Sequence, residues 1–351
     1  MPRSTRQARH AAAAAHRPVR LQDIADSLGV SMITVSRALS QPHKVSPALR
    51  ERIVAAADRM GYVPNHSAQA LASARSRTVL VQVPSLSNIV FIDLLESVGR
   101  VLQTAGYHML ICNTHYRGAG DWERVRNYLK HKPDGLLLTG SHLAEQAATL
   151  ASSLALPVVF MMAGLDDPVT QAPELAEFVG FSQVQAGRAM TEHLLAQGHR
   201  RIAFVGAQLD VRVLQRHQGY LQAMAQAGAE PLEIMDERPS SMAMGASLLT
   251  RLRQRHADCT AVFFCNDDLA LGALSQCHAL GVRVPHDMAV AGFNDLPAAA
   301  FAVPTLTSVH TPRARVGERA AQRLLRLMDG EAPLAQPVHD LGFELRVRAS
   351  A

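Results

Sequence analysis

Cysteine, aromatic side chains and catalytic signatures are what this chain has least of. Four cysteines in 351 residues, Cys112, Cys259, Cys265 and Cys277, form no CxxC pair. Cys112 and Cys265 end apolar strand-like runs, where a thiol serves as a small buried hydrophobe. This usage argues against a disulfide framework or a cysteine metal site and points to reduced thiols in a cytosolic protein. No GxxxxGK(S/T), HExxH or GxSxG occurs, and the 16 histidines are mostly isolated, so no catalytic residue, cofactor or metal ligand is expected. His199, in GHRR, reads as a loop residue before a strand. The alanine run Ala11–Ala15 ends at His16 and Arg17. It is too short for a signal h-region or a membrane span, so neither export nor a membrane location is expected.

Charge is present but unevenly spread. The net charge is only +5, yet residues 1–77 hold 12 basic and 4 acidic side chains, leaving the remainder slightly acidic. A basic head on an acidic body suits a polyanion partner. A solvated tail would account for residues 1–17 alone, but not for a head that also carries helical patterning.

That patterning is plain from residue 21. Leu21, Ile24, Ala25 and Leu28 form one apolar helical stripe closed by Gly29. Ser31 offers an N-cap for a second helix, MITVSRALS, in which Val35, Ala38 and Leu39 face inward while Met32, Ile33, Thr34, Ser36 and Arg37 cannot all be buried. A third helix opens at Ser46-Pro47 and ends before Gly61, its Leu49, Ile53, Ala57 and Met60 covering the other two. Two short helices across a tight turn predict a helix-turn-helix, whose second helix enters the major groove. Residues 65–77 predict a marginal helix and a short basic linker. In that segment Leu71 has two readings, a wedge between base steps in the minor groove or packing on the neighbouring domain.

From Arg77 onward apolar runs alternate with amphipathic helical stretches. The runs are 78–83, 107–112, 135–139, 157–162, 201–206, 261–266 and 288–293, and they predict parallel sheets covered on both faces. A break is expected near 163–180, where AGLDDPVTQAPELAEFVGF shows no helical period. Two α/β lobes follow, with a ligand expected between them at the carboxyl ends of the strands.

The head string VRLQDIADSLGVSMITVSRALSQPHKVSPALRERIVAAADRMGYVPNHSAQALAS resembles the DNA-binding head of the lactose/galactose-repressor (LacI/GalR) family. TVSRAL, VSxxLRERI, GYxPN and AxALAS appear in order. The body is similar to the same family's sensor, itself like periplasmic sugar-binding proteins. SLSNxVF, GHRRIA, CNDDLAxGA and TPRxRxG point to the gluconate-operon repressor type. The resemblance spans roughly residues 19–348.

It implies an all-α helix-turn-helix head joined by a hinge helix to an α/β sensor of two doubly wound parallel-sheet lobes. The implied boundaries are a disordered basic arm over 1–18, the head over 19–64, the hinge over 65–77 and the sensor over 78–348. Lobe 1 takes about 78–178 plus 310–338, and lobe 2 about 179–309 plus 339–348. Ser31, Thr34 and Ser36 are implied phosphate contacts, while Met32, Ile33 and Arg37 face bases, Arg37 reading guanine bidentately. Ile33 stands where family members often carry a polar residue. Asn65, Ala68 and Leu71 are implied hinge contacts to DNA.

For the effector the resemblance implies Ser85, Phe91, Arg212, Arg216, Asn266, Asn294 and Arg313. Arg313 stands where sugar-binding relatives often have an aromatic residue. Convergence of Arg212, Arg216 and Arg313 would suit a carboxylate, and hence a sugar acid of the gluconate or keto-gluconate type. Surface solubility for Arg212, helix capping for Arg313, and capping by Asp267 or Asp268 are the plainer readings.

The expected partners are a palindromic operator duplex, a small effector and a second copy of the chain, in a cytoplasmic, nucleoid-associated protein. Nothing after about Arg348 resembles a leucine-heptad tail, which favours a dimer over a tetramer. The competing readings are a periplasmic-type solute-binding protein without a DNA function, and a corepressor-dependent regulator answering to a neutral sugar or nucleobase.

Overall fold

Three helices enclose a small core in the head. Helix α1, Leu21–Leu28, starts where the Asp23 carboxylate accepts the Arg20 amide at 2.7 Å, and stops at Gly29, whose φ of 64° is left-handed. Helix α2, Met32–Ser40, is capped by Ser31, whose Oγ accepts the Thr34 amide at 3.1 Å. Helix α3, Pro47–Met60, carries Pro47 in its first turn, where no amide is needed, and ends at Gly61. Ile24, Ala25, Val35, Ala38, Ile53, Ala56 and Ala57 are buried together, with Leu21, Leu28, Leu39, Leu49 and Met60 around them. The three expected helices therefore stand where the sequence placed them, with Ser46 at the N-cap position of α3 but making no side-chain cap bond.

The computed structural model describes residues 17–63, 75–116, 120–154, 156–163, 166, 176–334 and 338–351. Most of the expected arm and hinge, with Asn65, Ala68 and Leu71, lies outside these residues. The chain divides into two units, Met1–Ala74 and Arg75–Ala351.

The larger unit holds two six-stranded sheets. The first contains β1 (Thr78–Val83), β2 (His108–Asn113), β3 (Gly135–Thr139), β4 (Val158–Met161), β5 (Ala176–Gly180) and β11 (Val338–Asp340), ordered β11-β5-β4-β3-β1-β2 and parallel throughout. The second contains β6 (Ile202–Ala207), β7 (Leu232–Asp236), β8 (Ala261–Phe264), β9 (Ala289–Asn294), β10 (Thr307–His310) and β12 (Glu344–Arg346). Its order is β12-β10-β9-β8-β6-β7, parallel except for β12, which runs antiparallel to β10. Every residue of β3, β4, β6, β8 and β9 is buried, as expected of strands with helices on both faces.

Two boundaries differ from expectation. The span 163–180 is not wholly irregular, because Ala176–Gly180 forms β5, buried along its length and paired with β4 and β11. The first sheet thus runs to Gly180, past the expected division at 178, and takes in Val338–Asp340. A five-residue strand beside prolines leaves too little periodicity to be read from sequence. β7, β10, β11 and β12 were also missed as runs, being short or half-buried edges.

The chain crosses between the sheets three times, after β5, between β10 and helix α11 (Arg313–Met328), and between β11 and β12. Helix α11 lies against α4 (Val90–Thr104) and the first sheet. It is anchored there by a buried ion pair. Arg323, 1% exposed, reaches Glu177 of β5, 0% exposed, through contacts of 2.6 and 2.7 Å, and Glu331 at 2.7 Å. All four cysteines are free and buried.

Candidate functional site

Two surfaces carry chemistry. On the head, α2 presents Met32 and Ile33, 48% and 58% exposed, beside exposed Ser31 and Arg37 and half-buried Thr34 and Ser36. The sequence has no acidic residue between Asp26 and Glu51, so nothing on this helix repels a phosphate backbone. Ser31 already spends its hydroxyl on the Thr34 amide and on Thr34 Oγ1 at 2.8 Å, which fixes the start of the helix.

The second surface is the cleft at the carboxyl ends of the strands in the larger unit. Its centre is Arg216 on helix α8 (Val211–Gln226). This helix packs on α7 (Gln183–Ala196) at backbone contact: a Cβ on Gly187 would lie 2.3 Å from the Arg216 carbonyl oxygen, and one on Gly219 would lie 2.0 Å from that of Val184. Only glycine permits this approach. It brings Gln183 to Arg216, whose Nε donates to Gln183 Oε1 at 2.8 Å.

Arg216 Nη1 donates to the Cys265 carbonyl at 2.7 Å and to Asn266 Oδ1 at 2.9 Å, and its guanidinium lies 3.7 Å from the centre of the Phe293 ring. All these partners are uncharged. Arg216 is 4% exposed, and burial pulls its pKa down to about 10 against the charge of Asp210, which raises it. Two polar atoms beside it, Gln183 Nε2 and Asn294 Oδ1, are buried with no hydrogen-bond partner among the described residues.

One turn earlier, Arg212 donates to Asp210 at 2.5 Å and lies 5.3 Å from the centre of the Phe91 ring. Burial opposes both charges, but the pair outweighs it: Asp210 stays below the usual carboxylate range and Arg212 above its own ordinary value. Asp210 also caps α8 by accepting the Val213 amide at 3.1 Å.

Phe91, Arg212, Arg216, Asn266 and Asn294 line one tight cavity of about 20 Å³, together with Asn88, Tyr116 and Asp210. Ser85, Asn266 and Asn294 line a larger, adjoining space of about 460 Å³ that also meets Gln208, Ser240 and Asp268. Of the three arginines, then, two converge and the third does not. Arg313 lines a separate cavity with Asp93, His310 and Arg315.

Residues 20–65 match the model of bacterial regulatory proteins of the lacI family, and residues 191–351 that of a periplasmic binding protein-like domain. The chain is 46% identical to the HTH-type transcriptional regulator GntR of Pseudomonas aeruginosa over 94% of its length and 95% of the relative's.

The chain belongs to the LacI family.

It is a DNA-binding transcriptional regulator, in agreement with the reading of a head and sensor of the gluconate-repressor type. A solved structure of the transcription regulator GntR from Chromobacterium violaceum matches at 49% identity and a TM-score of 0.73, covering 78% of this chain and 98% of that one. The lac repressor dimer bound to operator and the anti-inducer ONPF matches at 25% identity and a TM-score of 0.81, covering 95% and 99%. Among the described residues no helix is long and apolar enough to cross a membrane.

Within this LacI-family sensor, sequence reasoning missed Gln183, Asp210, Tyr116 and Phe293. Asp210 carried a signal, since an acidic residue before a helix with Arg two positions on is a cap and an ion-pair partner. Gln183 carried none, because its place depends on the glycine contact between α7 and α8. The capping reading of Asp267 also changes, while Asp268 does accept amides of the first turn. Asn266 is the N-cap of α10 (Asp267–Ala279), with no side-chain cap bond. Asp267 instead accepts the Leu296 amide and the Ser308 hydroxyl at 2.6 Å each, tying the loop after β9 to β10. Asp268 accepts the Ser240 hydroxyl at 2.7 Å.

Proposed function

We propose that the chain is a cytoplasmic, homodimeric repressor of an operon for a sugar acid of the gluconate or keto-gluconate class, with no enzymatic role. Its operator affinity is switched by that acid in the cleft. The observation that carries the effector class is Arg216, a buried cation whose bonds all end on neutral groups. Asp210, the carboxylate whose charge Arg216 feels, is already hydrogen-bonded to Arg212, so two cations share one anion, and a carboxylate ligand supplies the second. Asn88, Asn266, Asn294, Gln208 and Ser240 around the cleft offer the mixed donors and acceptors that a polyol chain requires.

On the DNA side, Ser31, Thr34 and Ser36 hold phosphates, and Met32, Ile33 and Arg37 meet bases. Ile33 supplies an apolar contact suited to a thymine methyl. Asn65, Ala68 and Leu71 form the hinge contacts. A two-fold dimer matches a palindromic operator, and the ligand acts by favouring one arrangement of the paired heads.

The test is calorimetric titration of the full chain with gluconate, 2-keto-gluconate, glucose and glucitol, alongside operator binding with and without each. Acids that bind and change operator affinity support the reading. A response confined to neutral sugars assigns the cleft to a different effector class.

A further inference from the structure

We infer that Arg313 and Asp93 are positioning residues for the effector site, tying the Asn294 backbone in the second lobe to the first turn of α4 in the first. The consequence for ligand binding rests on reading the cleft as the effector site, whereas the tie itself stands on geometry.

Arg313 opens α11 where the chain passes from β10 back to the first lobe, and it is 6% exposed. Its Nε and Nη2 donate to Asp93 Oδ2 at 3.1 and 2.9 Å. Its Nη1 turns to the other lobe, donating to the Asn294 carbonyl, and also to Thr311 Oγ1 at 3.1 Å. Nearly every donor of the fork is spent, and the Asp93 carboxylate beside it repels an anion. Arg313 is therefore poorly suited to hold a carboxylate ligand itself.

Its target is an unusual piece of backbone. Asn294 has φ of 104° and Asp295 φ of 52°, conformations that side-chain-bearing residues keep only when their surroundings hold them. Asp295 is held within the second lobe by Arg348 at 2.7 Å and His310 at 2.9 Å. The Asn294 carbonyl is held by Arg313, with Thr311 Oγ1 at 3.5 Å. The Asn294 side chain donates to Asn266 Oδ1 at 3.3 Å, and Asn266 accepts from Arg216. A continuous path runs from Asp93 through Arg313, Asn294 and Asn266 to Arg216. Phe91, two residues before Asp93 on the same turn, meets Arg212. The first turn of α4 thus touches both cleft arginines, one directly through a ring and one through this relay.

Hydrogen exchange measured by mass spectrometry on the full chain, without added ligand, tests the tie. Asp93→Asn alters only the first lobe, yet is expected to speed exchange at residues 294–296 while β6 keeps its protection. Asp93→Glu, which keeps the charge, is expected to recover most of the loss, and Arg313→Lys, whose single ammonium cannot span both partners of the fork, only part of it. Exchange that changes only within α4 overturns the inference. With gluconate as probe, Asp93→Asn and Arg313→Gln should each weaken binding about ten-fold, and the double variant no further. Additive losses would mean that the two residues act separately. Wild-type protein that ignores gluconate defeats the sugar-acid reading alone, since the exchange comparison still decides the tie.

Discussion

Replacing the carboxylate of gluconate by the primary alcohol of glucitol isolates the role of Arg216. Burial disfavours the cation and pulls the guanidinium from its ordinary value down to about 10. At about 1.4 kcal/mol per pH unit, keeping that charge in place costs about 3 kcal/mol. A carboxylate that reaches the guanidinium removes up to that much. The limit is a preference on the order of 100-fold for gluconate over glucitol. Arg216→Gln removes the charge. It also removes the donor from the Cys265 carbonyl and leaves Asn266 Oδ1 with the Asn294 amide alone, so both ligands bind more weakly and only their ratio is informative. That ratio should fall to within a few-fold. Isothermal titration at neutral pH measures all four affinities. Equal affinities on the wild type, or a preference that survives Arg216→Gln, would refute the argument that Arg216 selects the anion.

Three further outcomes are expected. Arg37→Ala should cost about 1–3 kcal/mol at one base pair and relax the preference there, read by competition with single-base operator variants; undiminished preference would shift the recognition register. Arg323→Met leaves the buried Glu177 carboxylate with only the His339 ring and the Leu334 amide and should lower unfolding free energy by up to about 3 kcal/mol in urea, with Glu177→Gln in the same chain restoring much of it; a loss under about 1 kcal/mol would be inconsistent with a buried pair. Burial pushes the Asp267 carboxyl from 3.8 up to about 7. Below both values the folded and unfolded chains are each protonated, and between them only the folded chain keeps its proton. Stability from this residue therefore drains as pH rises from about 4 to 7, by up to about 4 kcal/mol. Asp267→Asn should gain on the wild type between pH 5 and pH 8 in urea titrations, and a gap independent of pH would count against it.

Much of the fold was legible because local rules and global architecture agree. Gly29, Ser31 and Gly61 are stop and start signals with one meaning each, and runs such as 78–83 and 135–139 can be buried on both faces only inside a parallel sheet. β5 and β12 were hidden because a short strand at a lobe crossing draws its stability from neighbours and not from its own periodicity. The site divides in the same way. Arg216 was readable from its position before Gly219. The company it keeps was not, because Gln183 and Phe293 reach it through the packing of other elements. Arg313 was assigned to the arginine cluster by position in a resemblance, and its long side chain in fact leads to Asp93.

The glycine pair Gly187 and Gly219 has a genetic consequence. Any methyl at either position must push α7 and α8 apart, and the first contact to suffer is that between Gln183 and Arg216. The head, in a separate unit, keeps its own core. A selection for repressors whose heads still fold and bind DNA but whose operator affinity no longer answers to the effector should therefore recover substitutions at 187 and 219 as readily as at the arginines themselves, so that loss of the effector response would map to places where the wild-type protein has no side chain at all.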